Sequence, residues 1–227
     1  MTQDIKVKIS NLTKIFGPRA QSVLKHVDNG MSKDDLLKEH QHVLGLSNIN
    51  LELANKNIEV IMGLSGSGKS TLIRHINRLI EPTAGSIMIG GEDVIQMPME
   101  KLRQFRQQKT AMVFQSFALL PHKTIMDNVC LGVHLQGVKS DEATTRAKKW
   151  IDRVGLTGYE DRYPSQLSGG MQQRVGLARA LTCDTEILMM DEAFSALDPL
   201  IRSDMQDLLL ELQKELHKTI IFITHDL

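Results

Sequence analysis

The chain has no excess of either charge: its 227 residues hold 27 Lys plus Arg against 27 Asp plus Glu. No net field draws it toward nucleic acid or anionic lipid, which weighs against a main role as a polyanion binder. Cysteine is scarce. Cys130 and Cys183 stand far apart without C-x-x-C spacing, so neither a disulfide framework nor a zinc site is encoded, and both read as buried or incidental thiols. Apolar runs stay well short of the ~18 residues of a spanning helix, and Met1-Thr2-Gln3-Asp4 lacks the charged and apolar regions that open a signal peptide. A cytosolic chain is expected, in which the sequon Asn11-Leu12-Thr13 has no meaning. The length suits one well-filled α/β domain with room for a small subdomain, but not two full domains with separate cores.

Against these absences stands Gly63-Leu64-Ser65-Gly66-Ser67-Gly68-Lys69-Ser70. Three glycines let the backbone turn tightly enough to aim successive N–H groups at one point. Lys69 adds a mobile positive charge and Ser70 a hydroxyl for Mg²⁺, so the implied ligand is a nucleoside triphosphate. Ile58 to Met62 before the loop reads as a buried strand, and Ser70 to Ile80 after it has amphipathic helical spacing. Phosphate would then meet a helix N-terminus, where unpaired N–H groups and the macrodipole favour an anion.

Along the rest of the chain, Ile5 to Phe16 alternates like a strand pair or one bent strand, ended by Gly17-Pro18. From Arg19 to about His42 apolar residues recur at helical spacing, with Ser32 and Asp35 resembling a capping box. Val43 to Ala54 returns to strand alternation. Gly85 to Gly91 reads as a strand ending in a glycine turn, Thr110 to Phe114 as a buried strand, and Thr124 to Arg153 as mostly helical. Beyond Ser168 come a helix through Leu181, a strand from Glu186 to Met190, a helix from Leu200 to His217 and a strand from Thr219 to Thr224. Strands alternating with helices imply a mainly parallel sheet wound on both faces.

Two further stretches carry chemistry. Ile187-Leu188-Met189-Met190-Asp191-Glu192 is an apolar strand ending in two carboxylates, at the edge where a parallel sheet presents ligand-binding groups. Asp191 suits Mg²⁺, and Glu192 is then free to orient or deprotonate a water; alternatively the pair caps the next helix. A guanine-reading N-K-x-D motif is not formed by Asn55-Lys56-Asn57-Ile58, which favours ATP or a non-selective pocket. Leu167-Ser168-Gly169-Gly170-Met171-Gln172-Gln173-Arg174 places a Ser and two glycines before a helix. That arrangement builds a second anion cradle, although Ser168 is equally suited to plain helix capping.

Together these residues resemble the ATP-binding subunits of ATP-binding cassette (ABC) transporters. Gly63–Ser70 matches Walker A, Gln115 the Q-loop, Leu167–Gln173 the signature and Ile187–Asp191 Walker B with Glu192 after it. Ser195-Ala196-Leu197-Asp198 matches the D-loop and His225 the switch histidine, all in family order across nearly the whole chain. Within the family the text is similar to glycine betaine/proline betaine import ATPases. The helical insertion between Phe16 and Val43, Asn77 to Thr83, Phe117 to His122 and Met190 to Leu200 carry that likeness.

The resemblance implies an α/β fold: a P-loop NTPase (RecA-like) core with a mainly parallel sheet, an N-terminal antiparallel β-subdomain and a helical signature subdomain. One nucleotide-binding domain is expected over 1–227, with a helical insertion at 19–42 and a helical subdomain at about 116–165. It implies ATP and Mg²⁺ as ligands, in a head-to-tail dimer where one subunit's signature covers ATP on the other. Lys69 would bind the β and γ phosphates among Gly63, Ser65, Gly66, Ser67, Gly68, Ser70 and Thr71. Ser70, Asp191 and Gln115 would serve Mg²⁺, Glu192 would act as general base and His225 would contact the γ-phosphate. Ser168, Gly169, Gly170 and Asp198 would complete the partner's site. Phe16 would stack on adenine, although a core-facing Phe there is equally ordinary.

Implied partners are a second ATP-binding subunit, integral-membrane permease subunits near Phe117 to Val133 and, indirectly, a periplasmic or extracellular solute-binding protein. No nucleic acid is implied. The location would be peripheral, on the cytoplasmic face of the inner or plasma membrane. Two departures accompany the likeness. Asn57 stands where the family usually has Gly before the central strand, and Asn tolerates the left-handed conformation such a turn needs. The chain also stops at His225-Asp226-Leu227, so C-terminal truncation without a regulatory domain is expected, with slower ATP hydrolysis than an extended chain because His225 lacks packing support. A catalytically impaired partner subunit is the alternative reading.

Overall fold

The computed structural model describes residues 4–195 and 197–224. In chain order the elements are β1 (Ile5–Phe16), α1 (Leu24–Asp28), α2 (Lys33–His40), β2 (Val43–Ala54), β3 (Ile58–Met62), α3 (Lys69–Ile76), β4 (Ala84–Ile89) and β5 (Glu92–Asp93). They continue with α4 (Met99–Gln108), β6 (Thr110–Val113), α5 (Ile125–Leu135), α6 (Ser140–Arg153), α7 (Gly169–Thr182), β7 (Ile187–Asp191), α8 (Pro199–Leu216) and β8 (Thr219–Thr224). Two compact units result: Met1–Asn55 with Gly63–Met99, and Lys56–Met62 with Glu100–Leu227.

The first unit is built on an antiparallel sheet of order β2-β1-β4-β5. Strand β1 is one bent strand, and its apolar phase shows how the bend arises. Val7 and Ile9 are two apart, whereas Leu12 and Ile15 each follow at three, yet all four are buried. Register shifts between Ile9 and Leu12 and again before Ile15 absorb the extra residues, with Asn11 left-handed at φ 51°. The segment predicted as helical at 19–42 forms α1 and α2. Val23, Val27 and Leu36 from it cover Ile15 of the sheet in a small apolar cluster. Ser32 caps α2, its hydroxyl accepting from the Asp35 N–H at 3.1 Å.

The second unit holds an all-parallel sheet of order β3-β8-β7-β6. Central strand β7 is buried along its whole length, as its unbroken apolar run requires when both faces are covered. Helices α5, α6 and α7 pack on one another, and Val129, Val133, Ile151, Val175 and Leu177 are fully or almost fully buried there. Strand β3 corrects the expectation of a buried strand. It pairs with β8 alone among the described strands, and Val60 and Met62 stay 51% and 46% exposed. Two smaller corrections follow. Helix α3 ends at Ile76, with Arg78 left-handed at φ 53°, rather than reaching Ile80. The left-handed residue before β3 is Lys56 at φ 56°, so Asn57 is not needed there for its tolerance of that conformation.

Candidate nucleotide site

The first unit carries a phosphate cradle. Gly68 precedes α3 with φ 94°, and a Cβ there would lie 2.9 Å from the Gly45 carbonyl oxygen, so only glycine lets the loop turn against β2. The Lys69 ammonium donates to the carbonyls of Gly63 at 2.7 Å and Leu64 at 2.9 Å. It is thereby held over the inside of its own loop, with Lys69 7% exposed and Leu64 84% exposed. Ser70 and Thr71 follow in the first turn of α3, at the helix end whose dipole and N–H groups favour an anion. Ser65, Gly66 and Ser67 complete the loop on its exposed side.

Phe16 ends β1 with 40% of its surface open, which is not the behaviour of a core-facing ring. Lys14 Nζ lies 5.1 Å from the ring centroid. Beneath the ring is Gly45, where a Cβ would come within 2.6 Å of Phe16 Cε2. A glycine inside a strand signals close approach of another group, and Gly45 in β2 is such a glycine. The same residue thus seats the Phe16 ring and, through its carbonyl, faces Gly68.

In the second unit, β7 delivers Asp191 and then Glu192 at the carboxyl edge of the parallel sheet. In the same parallel sheet β3 ends at Met62, at the same carboxyl edge. Asp191 is fully buried. Glu192 is left-handed at φ 49°, and its N–H donates to Ile223 at 3.1 Å. That conformation is uncommon outside glycine. Gln115, just past β6, donates its Nε2–H to Glu192 Oε2 at 2.8 Å. Two candidates separated by 77 positions are therefore brought together.

Ser168 and its glycines sit slightly differently from expectation. Gly169 and Gly170 are the first two residues of α7 rather than a loop before it, and Ser168 is the N-cap, its hydroxyl accepting from Met171 N–H at 3.3 Å. Ser168 and Gly169 are exposed, and capping by one hydroxyl leaves other N–H groups of the first helical turn without an intrahelical acceptor. Asp198 similarly caps α8, accepting from Ile201 N–H at 3.1 Å. His225 lies outside the described residues.

The turn after Gln115 is tied to α7. Phe117 and Ala118 are both left-handed, at φ 59° and 49°. The Arg179 guanidinium donates to their carbonyl oxygens, at 3.1 and 2.7 Å. Burial lowers the Arg179 pKa from its usual value, with Cys183 opposing, yet a guanidinium remains charged. Nothing local in the sequence announces this clamp, because its halves are 61 and 62 residues apart.

A sequence profile of the ABC transporter family matches residues 46–195, which contain the loop, Gln115, the Ser-Gly-Gly helix start and both carboxylates. The chain belongs to the ABC transporter family. It is 55% identical over 98% of its length to the glycine betaine transport ATP-binding protein OpuAA of Bacillus subtilis, covering 53% of that protein. With the glycine betaine/proline betaine transport system ATP-binding protein ProV of Escherichia coli it shares 51% identity over 98% of its length and 56% of that protein. The chain thus spans about half the length of these curated relatives. The dimeric structure of a bacterial ABC transporter cassette superimposes with a TM-score of 0.83 at 31% identity, covering 97% of this chain and 88% of that one. A post-hydrolysis cassette dimer bound to ADP and Pi gives the same TM-score at 32% identity, with the same coverage of both chains. As an ABC cassette, the chain has the P-loop NTPase fold expected of it, its parallel and antiparallel sheets in separate units.

Proposed function

We propose that this cassette is the ATP-binding and ATP-hydrolysing subunit of an importer for glycine betaine or proline betaine-type quaternary ammonium solutes. The observation that carries the hydrolytic reading is the Gln115–Glu192 hydrogen bond at 2.8 Å, on a Glu192 backbone held left-handed. A carboxylate fixed in this way is suited to take a proton from a water attacking the γ-phosphate, with Gln115 orienting carboxylate and water alike. Lys69, already aimed across its loop, exchanges the Gly63 and Leu64 carbonyls for phosphate oxygens. Backbone N–H groups from Ser65 to Thr71 take the rest, and Phe16 offers its open face to adenine.

The donor set suits Mg²⁺: a fully buried carboxylate at Asp191, the Ser70 hydroxyl and the Gln115 amide oxygen are hard oxygen ligands. When bound, the ion neutralises charge developing on the phosphates. Ser168, Gly169 and Gly170, with Asp198, complete the site of a second copy in a head-to-tail dimer, and His225 approaches the γ-phosphate. Such a dimer repeats the same contact twice about a two-fold axis.

The permease would dock on a groove of about 350 Å³ in the second unit, where Phe114, Ala118, Leu131 and Leu135 lie beside Arg106 and Arg179. A solute-binding protein would act through that permease, and the cassette would sit on the cytoplasmic face of the membrane. Among the described residues no helix is long and apolar enough to cross it. The solute class follows that of the relatives, which serve glycine betaine and proline betaine transport.

The test is phosphate release by the purified chain with Mg²⁺ and ATP, compared with Glu192→Gln. Removing the base should lower kcat by about 10²–10⁴-fold and trap an ATP-bound dimer on size exclusion. Equal turnover of the two proteins would overturn the assignment of Glu192. Failure to restore betaine uptake in cells lacking their own importer ATPase would overturn the transport reading.

A further inference from the structure

We propose that Arg179 is a positioning residue for Gln115: by clamping the carbonyls of Phe117 and Ala118 it holds the turn that delivers the Gln115 amide to Glu192. The proposal deepens the hydrolytic reading above and depends on it.

Three observations carry it. The turn is strained, since two successive residues with side chains are left-handed, and Ala118 N–H reaches back to the Ser116 carbonyl at 2.6 Å. A Cβ crowds the carbonyl in that region, so something outside the turn must hold it. Arg179 supplies the hold with a planar fork, Nη2–H to Phe117 and Nη1–H to Ala118. Lysine, a point charge on a flexible stem, does not reproduce such a fork. Finally, the turn lies along one stripe of α7. A Cβ on Gly169 would meet Phe117 Cζ at 3.6 Å, and one on Gly176 would meet the Phe117 carbonyl oxygen at 3.6 Å. Gly169, Gly176 and Arg179 follow the helical repeat, so their side of α7 is a bed for the segment after Gln115. The helix that opens with Ser168 and its glycines therefore also shapes the turn carrying Gln115.

Test variants are made in the whole chain. Arg179→Lys should lower kcat for ATP about tenfold while KM for ATP stays within about twofold, because binding by the Gly63–Thr71 loop is untouched. Gln115→Ala should lower kcat as well, and the double variant should lose no more than about twofold beyond Gln115→Ala alone, since the clamp acts through Gln115. Ala118→Gly placed on Arg179→Lys should recover at least about threefold, glycine adopting the left-handed turn without help. Ala118→Val, at an exposed position, should reproduce the kcat loss from the loop side even if Arg179→Lys folds poorly. Losses that multiply in the double variant, or an unchanged kcat in Arg179→Lys, would overturn the proposal.

Hydrogen exchange provides an arm independent of turnover. Amides of residues 116–119 should exchange at least about tenfold faster in Arg179→Lys, with β7 and β8 unchanged. Unaltered exchange in the turn would overturn the clamp. An unsubstituted protein that releases no phosphate would sink the hydrolytic reading instead, and exchange would still decide the clamp.

Discussion

Phe16 and Gly45 form a two-residue device in which the small partner is as informative as the large one. A methyl group on Gly45 would intrude to 2.6 Å of the ring, so Gly45→Ala must tilt Phe16 off its seat. If the ring stacks on adenine, Gly45→Ala and Phe16→Ala should each raise KM for ATP by about three- to tenfold, and together by no more than either alone. Steady-state kinetics of the three variants checks this. His75 makes a second prediction. It is fully buried on α3, its Nδ1–H donates to the Thr71 carbonyl at 2.6 Å, and Nε2 has no hydrogen-bond partner among the described residues. Burial, ahead of the raising effect of the Thr71 bond, lowers its pKa below the ordinary 6.5. The folded state therefore resists a proton that the unfolded state accepts at its normal pKa. Stability is full above about pH 6.5 and falls as pH drops from there toward the lowered folded pKa. Thermal unfolding at pH 7.5 and 5.5 should show a drop in Tm that is smaller in His75→Leu.

Helix α7 is the element on which most of the unexpected structure converges, because it is packed on several sides and small residues line it. Beside it, Gly132 of α5 faces Cys183 so closely that an added Cβ would stand 2.2 Å from Sγ. Gly132→Ala should destabilise the protein by about 1–3 kcal/mol through overpacking. Gly132→Ala with Cys183→Ala should recover most of that loss, since the next atom in the path is the residue 183 Cβ at 3.9 Å. Chemical denaturation of both variants decides the point. Burial also raises the pKa of both cysteine thiols, with Asp127 adding to the effect at Cys130. Thiol reagents should thus modify the native protein slowly at neutral pH. Strand β3 teaches the complementary lesson. Its apolar run resembles that of β7, yet among the described strands β7 pairs on both sides and β3 on one, and composition alone does not distinguish the two.

At the scale of the molecule, the chain crosses between its two units at Asn55–Lys56, Met62–Gly63 and Met99–Glu100, so neither unit is one continuous piece of sequence. Unfolding should accordingly be a single transition. The sole tryptophan, Trp150 on α6, reports the second unit and circular dichroism reports both. Their thermal midpoints should agree within about 2 °C; a separation of more than that would show independent units. The sequence by itself marked the phosphate loop, both carboxylates, the Ser168 helix start and the alternation of strands and helices, while Gln115 stood out only through the likeness to the ABC family. Each of these is local: a turn needs its glycines, a cap its hydroxyl, a strand its period. Only the tertiary structure decided that Gln115 meets Glu192, that Gly45 seats Phe16, that Arg179 holds the turn after Gln115 and that β3 pairs with β8 alone among the described strands. Those facts join residues far apart in the chain, through contacts that depend on how sheets are ordered and helices laid side by side, and no local pattern encodes that order.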